Sequence, residues 1–270
     1  MHITFIGGGN MASAIIGGLL QRDWKRDTLR AVEILPAARQ KLEQTFGIQT
    51  FPGISAQAVQ ADCVVLAIKP QQMREAATQL APLIKNALII TIAAGIRGSD
   101  LSRWLGGHQR IVRVMPNTPA LVLAGISGLY AMPGVSAEDR ATAASILGAV
   151  GETVWVESED DIDAVTAVSG SGPAYVFYFI EALDQAARDL GLSAATARQL
   201  AIATFTGAAK LAALSSEDAA TLRARVTSKG GTTERALASM ESAHIKSAIV
   251  RAVKAAADRS RELGDELGRG

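Results

Sequence analysis

The chain has 270 residues, 49% of them hydrophobic, 20% charged and only 4% aromatic, a length that holds a sizeable core and predicts two domains. With 27 Lys and Arg against 26 Asp and Glu the net charge is +1, which argues against nucleic acid or an anionic membrane as partner. The single Cys63 excludes an internal disulfide, and three histidines without ligand spacing give no expectation of a metal, so a reducing cytoplasm fits best.

In chain order, HITFIG is the first predicted strand and ASAIIGGLL the first helix. TLRAVE, CVVLAIKP, LIITIAAG and RIVRVMP are further β-branched apolar runs, with helical patterns PAARQKLEQTF and QQMREAATQLAPLI between them. Strands alternating with helices predict a parallel sheet covered on both faces. ISGLYA and TVWVE, on either side of the helical segment SAEDRATAASILGAV, are candidates to extend that sheet. Residues 114–137 carry no charge, yet Pro116, Pro119 and Pro133 with three glycines make them turns and short strands rather than a membrane span. The opening MHITFIGGG lacks the basic and long apolar regions of a signal peptide.

From Asp161 onward the pattern is helical and rich in alanine, so residues 1–160 and 161–270 are expected to form an α/β domain and an all-α domain. AIATFTGAAKLAAL is apolar or small on nearly every face. A helical domain of this size can scarcely bury such a segment alone, which predicts a homodimer or higher homo-oligomer.

Four segments carry candidate chemistry. Gly7, Gly8 and Gly9, followed by Asn10, Met11 and Ala12, form G-x-G-x-x-A between the first strand and first helix. Glycines there let the backbone turn and approach a pyrophosphate whose charge sits at the helix N-terminus, the signature of a Rossmann-type, doubly wound dinucleotide domain. Glu33, at the end of the second strand, falls near the ~20-residue offset at which an acid reaches the adenosine ribose; an ordinary solvated strand end is the equal alternative. Lys69 and Pro70, and Ala93, Ala94 and Gly95, lie after strands where an open sheet places its ligands.

MPNTPA is a loop fixed by Pro116 and Pro119, in which Asn117 and Thr118 offer hydrogen bonds to a nicotinamide; by itself the motif reads more simply as a rigid turn. SGSGPAY, residues 169–175, and VTSKGGTT, residues 226–233, interrupt the helical half with residues that form helices poorly. In the second, Ser228, Gly230, Gly231, Thr232 and Thr233 precede a helix and bring N–H and hydroxyl donors suited to a carboxylate; simple capping by Thr232 or Thr233 is the bland alternative. No nucleophile elbow, zinc-protease or P-loop motif is present, so the reactive centre is expected to come from a cofactor.

Together, IGGGNMA, AIKP, MPNTPA, SGSGPAY and VTSKGGTT resemble the pyrroline-5-carboxylate reductase family, with the motifs in the family's order over residues 6–233. The resemblance implies a Rossmann domain, a C-terminal helical dimerisation domain, and reduction of the small-molecule substrate 1-pyrroline-5-carboxylate to L-proline with NADPH or NADH. It assigns Ile6 to Met11, Ala67, Ile68, Lys69, Pro70 and Ala93 to Gly95 to the cofactor. Ser228, Gly231, Thr232 and Thr233 go to the substrate, with Thr233 as partner of the ring nitrogen. Lys229 stands where the family usually has proline and adds a cation to that loop. A related imine or 3-hydroxyacid reductase is the runner-up, although no lysine occurs between Asp161 and Arg188 to serve as that enzyme's acid and base. A non-catalytic dinucleotide sensor is the other reading, and it has no use for VTSKGGTT.

Overall fold

The computed structural model describes residues 1–269. It begins with strand β1 (Ile3–Ile6), helix α1 (Asn10–Gln21), β2 (Leu29–Val32), α2 (Pro36–Phe46), β3 (Gln49–Phe51) and β4 (Cys63–Leu66). There follow α3 (Pro70–Leu80), β5 (Leu88–Thr91), α4 (Gly98–Trp104), β6 (Ile111–Met115), β7 (Gly125–Ala131), α5 (Ala137–Gly148) and β8 (Gly151–Trp155). The strands form one eight-stranded sheet in the order β3-β2-β1-β4-β5-β6-β7-β8.

All neighbours run parallel except β6 and β7, which pair antiparallel with Arg113 opposite Tyr130. ISGLYA and TVWVE do extend the sheet, and the short connection through Thr118–Val122 is what reverses the first of them. β1, β4 and β5 are buried along their whole length, because helices cover both faces. Ile3 and Phe5 join the core cluster with Ile15, Ile16 and Leu19 of α1, whereas Ile6 joins the cluster with Met73 and Leu80 of α3. That is the period-two alternation of a strand between two layers.

Helix boundaries follow local chemistry. Proline occupies the first residue of α2 and α3, and α2 ends on Gly47, whose φ of 67° closes the helix with an N–H donated to the Glu43 carbonyl at 2.9 Å. Ser136 and Asp139 cap α5 reciprocally.

The remaining helices are α6 (Asp161–Val165), a wide turn at Thr166–Gly170, α7 (Gly172–Asp189), α8 (Ala194–Leu214), α9 (Ala219–Arg225), α10 (Thr232–Ser242) and α11 (Ile245–Gly268). Packing divides the chain into two compact units: Met1–Ser171 with the chain from Ala256 onward, and Gly172–Ala255. The single break expected at Asp161 thus becomes two crossings. Asp163 of α6 accepts a hydrogen bond from Ser260 of α11 at 2.5 Å, and Gly95 lies against Leu263 and Leu267, so both segments are held by the sheet unit. In the helical unit α7 and α8 pack together, with the Phe179 and Phe205 rings 6.4 Å apart. AIATFTGAAKLAAL lies in α8, where only Ala197 and Ala201 are buried within one chain.

Candidate active site

The strand order turns back at β1 and β4, and there the crossovers diverge to leave a crevice at the carboxyl ends of the strands. A cleft of about 450 Å³ occupies that place. Its floor is the glycine loop after β1. Gly7 has φ of 99°, and a Cβ there would lie 2.5 Å from the Ala67 carbonyl oxygen, so only glycine lets β1 hand over to α1 this close to β4. A Cβ on Gly9 would meet nothing within 4 Å, which means the loop faces open space at that point.

Gly9 is also the residue before α1, and no side chain caps that helix nor does an acid stand in its first turn. The start of α1 therefore opens on the cleft with no side chain capping it, and the protein anion beside it is Glu33, held on the Gly8 N–H. Two carboxylates, Glu33 and Glu75, line the cleft, and Glu33 is the one fixed by backbone donors. Its Oε2 accepts the Gly8 N–H at 3.0 Å and its Oε1 the Leu35 N–H at 2.9 Å, while the Arg39 guanidinium donates to the carbonyls of Glu33 and Ile34 at 2.8 and 3.0 Å.

Of the residues singled out in the sequence, Ile6, Gly7, Gly8, Gly9, Glu33, Ala67, Ile68 and Lys69 line this one cleft. Asn10 and Met11 form the first turn of α1, and Pro70 the first residue of α3. Ala93, Ala94 and Gly95 follow β5 outside the lining; Gly95, with φ of 71°, would place a Cβ 3.0 Å from Leu267, so its lack of a side chain serves packing of α11. Asn117 spends its amide within the protein, accepting the Ile126 N–H at 3.0 Å and donating to the Ser169 hydroxyl at 3.3 Å, and Thr118 beside it is exposed.

Ser228 to Thr233 form a separate loop in the helical unit. Gly230 has φ of 75°, and Gly231, not a threonine, is the capping residue of α10, with Thr232 and Thr233 as the helix's first two residues. A Cβ on Gly231 would meet the Ser228 hydroxyl at 2.5 Å. The Gly230 N–H donates to the Glu234 carboxylate at 2.6 Å, so this loop already holds one carboxylate on a backbone donor.

Sequence reading missed Ile34, Leu35, Gly53, Ile54, Gln72, Glu75, Ala76 and Gln79 of the cleft wall. Ile34 and Leu35, 66% and 60% exposed, had a signal: two bare apolar residues between an acid and a proline. Gln72, Glu75, Ala76 and Gln79 share one face of α3 by their spacing, but which face looks into the cleft follows only from the packing.

The lining fits a dinucleotide: an open glycine, an uncapped helix start, an acid at the end of β2 and a small-residue strand end. Such a doubly wound sheet and cleft define a Rossmann-type dinucleotide-binding protein. A family model described as pyrroline-5-carboxylate reductase dimerisation matches residues 159–263, and the pyrroline-5-carboxylate reductase of Pseudomonas aeruginosa is 44% identical over 268 residues, 99% of this chain and 98% of that protein. The chain belongs to the pyrroline-5-carboxylate reductase family.

A second model, NADP oxidoreductase coenzyme F420-dependent, matches residues 2–95. Among solved structures, a pyrroline-5-carboxylate reductase from Coxiella burnetii superimposes with a TM-score of 0.92 at 40% identity, covering 97% of this chain and 98% of that one. The Plasmodium falciparum pyrroline carboxylate reductase with NADP bound gives 0.87 at 28% identity, covering 98% of each. Among the described residues no helix is long and apolar enough to cross a membrane, and no three acidic, histidine or cysteine side chains gather as a metal site.

Proposed function

We propose that the chain reduces the carbon–nitrogen double bond of 1-pyrroline-5-carboxylate to give L-proline, the last step of proline biosynthesis, using NADPH or NADH, and that it works as a homodimer or larger homo-oligomer. The observation that carries this reading is the full-length match to pyrroline-5-carboxylate reductases on a chain whose glycine cleft fits a dinucleotide. Cytoplasmic location is part of the proposal, supported by the single buried Cys63.

A reduced nicotinamide coenzyme bound in the cleft would supply the hydride for the imine carbon. The chain's own part is to position and to solvate. The glycine loop and the start of α1 hold the pyrophosphate, Glu33 the adenosine ribose, and Ala67 to Pro70 with Ala93 to Gly95 the strand-end side of the coenzyme. Asn117, its amide spent on Ile126 and Ser169, and Thr118 shape the nicotinamide end through their loop. Ser228, Gly230, Gly231 and Thr232 receive the substrate carboxylate on N–H and hydroxyl donors, the Gly230 N–H by exchanging the Glu234 carboxylate for it. The Thr233 hydroxyl meets the ring nitrogen, which needs no strong acid because an imine protonates readily. The helical unit, Gly172–Ala255, carries substrate binding and association, and the sheet unit carries the coenzyme.

The test is loss of reduced-nicotinamide absorbance on adding 1-pyrroline-5-carboxylate, with proline identified as product. Turnover with neither coenzyme overturns the assignment.

A further inference from the structure

We infer that Glu33 makes this chain prefer NADH to NADPH, an inference that rests on the dinucleotide reading of the cleft. The carboxylate stands on the cleft wall at the end of β2, anchored from two sides: Gly8 N–H on Oε2 at 3.0 Å and Leu35 N–H on Oε1 at 2.9 Å. Two lone-pair sites of the ionised group remain, so it can accept a ribose hydroxyl without moving. It cannot swing away from a 2′-phosphate without giving up both backbone bonds. NADPH therefore brings a doubly charged group against a fixed like charge, while NADH gains a charge-assisted hydrogen bond.

The loop offers a phosphate little in return. Residues 33–38 read EILPAA, with no hydroxyl and no cation, and Ile34 and Leu35 present apolar surface to the cleft. Arg39 comes next, but its Nη1 is tied to the carbonyls of Glu33 and Ile34 at 2.8 and 3.0 Å, which holds the guanidinium along the backbone that carries the acid. Lys69, at the end of β4, is the cation among the lining residues, which also include Glu75. Arg39 and Lys69 offset part of the repulsion, so both coenzymes bind, with NADH favoured about tenfold, a difference of about 1.4 kcal/mol.

Fluorescence titration of the whole protein with NADH and with NADPH, in the absence of substrate, tests this directly. The native chain is expected to show a Kd for NADH about tenfold below that for NADPH. Glu33→Ser and the equally long, uncharged Glu33→Gln should each bring the two values together or reverse them. Equal or tighter NADPH binding by the native chain overturns the inference, as does a ratio that neither substitution moves. If the native chain binds neither coenzyme, the dinucleotide reading of the cleft falls instead.

Discussion

Thr233 sits at the second residue of α10, partly buried, with the left-handed Gly230 and the capping Gly231 ahead of it. A hydroxyl there is unnecessary for the helix, since alanine is the better helix former and Gly231 already makes the cap. Thr233→Ala is therefore expected to fold normally and to lose kcat/KM by about 1–3 kcal/mol, roughly 5- to 150-fold, through one missing hydrogen bond to the reacting ring. Coenzyme affinity should stay as it was. An unchanged kcat/KM in steady-state assays would remove Thr233 from the site.

A second residue governs acid stability. Asp139 takes Arg110 in a two-pronged pair, at 2.7 and 3.1 Å, while accepting the Ser136 N–H at 3.2 Å. The guanidinium, more than the cap, holds its carboxyl below the usual carboxylate range. A carboxyl depressed on folding adds stability above its unfolded pKa of about 3.9 and loses it as pH falls through the folded value. The melting temperature of the native protein should drop between about pH 5 and pH 3 more steeply than that of Asp139→Asn. At neutral pH that variant should be about 1–3 kcal/mol less stable, from the lost cap and pair. Parallel acid limbs for the two proteins would contradict the argument.

At the scale of elements, a polar knot joins β6 to α4, α6 and α11. Arg113 of β6 is 3% exposed; it donates to Glu159 at 3.1 Å and stands 3.9 Å from Asp163 of α6. Glu159 also accepts the Gly98 N–H at the start of α4 at 2.6 Å, and Asp163 accepts from Ser260 of α11. Arg113 thus answers two carboxylates, and its own Nε finds no partner. Arg113→Met would leave the buried Asp163 and the part-exposed Glu159 without a cation, at a cost of about 3 kcal/mol. Denaturant unfolding should show that loss, and replacing Glu159 and Asp163 by Gln and Asn as well should return part of it. A triple variant no more stable than Arg113→Met would show that burial of charge is not what the knot resolves.

At the scale of the whole molecule, the helical unit exposes more apolar surface than a lone chain sustains. Phe177 and Tyr178 on α7 are 64% and 72% exposed, and Leu211 and Leu214 on α8 57% and 79%. Patches of this kind mark interaction surfaces, and the dimerisation model covers the same region. Leu211→Glu, which puts a charge on that surface, should shift sedimentation toward monomer. A variant that keeps the native mass would take the α8 face out of the contact.

What could be read directly were features whose cause is local. The buried runs of β1, β2, β4, β5 and β6 announce themselves because a strand covered on both faces has no polar alternation to hide it. The glycine loop and Glu33 stand out for the same reason: turn, helix start and strand end each carry a local signal, and all of them line one cleft. β3, with three residues, and α4, with seven, fall below the length at which a period shows.

The rest depended on what the chain meets after returning from elsewhere. β7 looks like any other strand, and only its hydrogen bonds to β6 make it antiparallel. Asn117 lies in a loop that its two prolines mark as a rigid turn, but only the fold shows that Ile126 and Ser169 engage its amide and that Glu159 and Asp163 are the partners of Arg113. Sequence determines propensity, burial period and the short-range motifs. Strand direction, cleft walls and the partners of a polar side chain are set by contacts between distant segments, which no window along the chain contains.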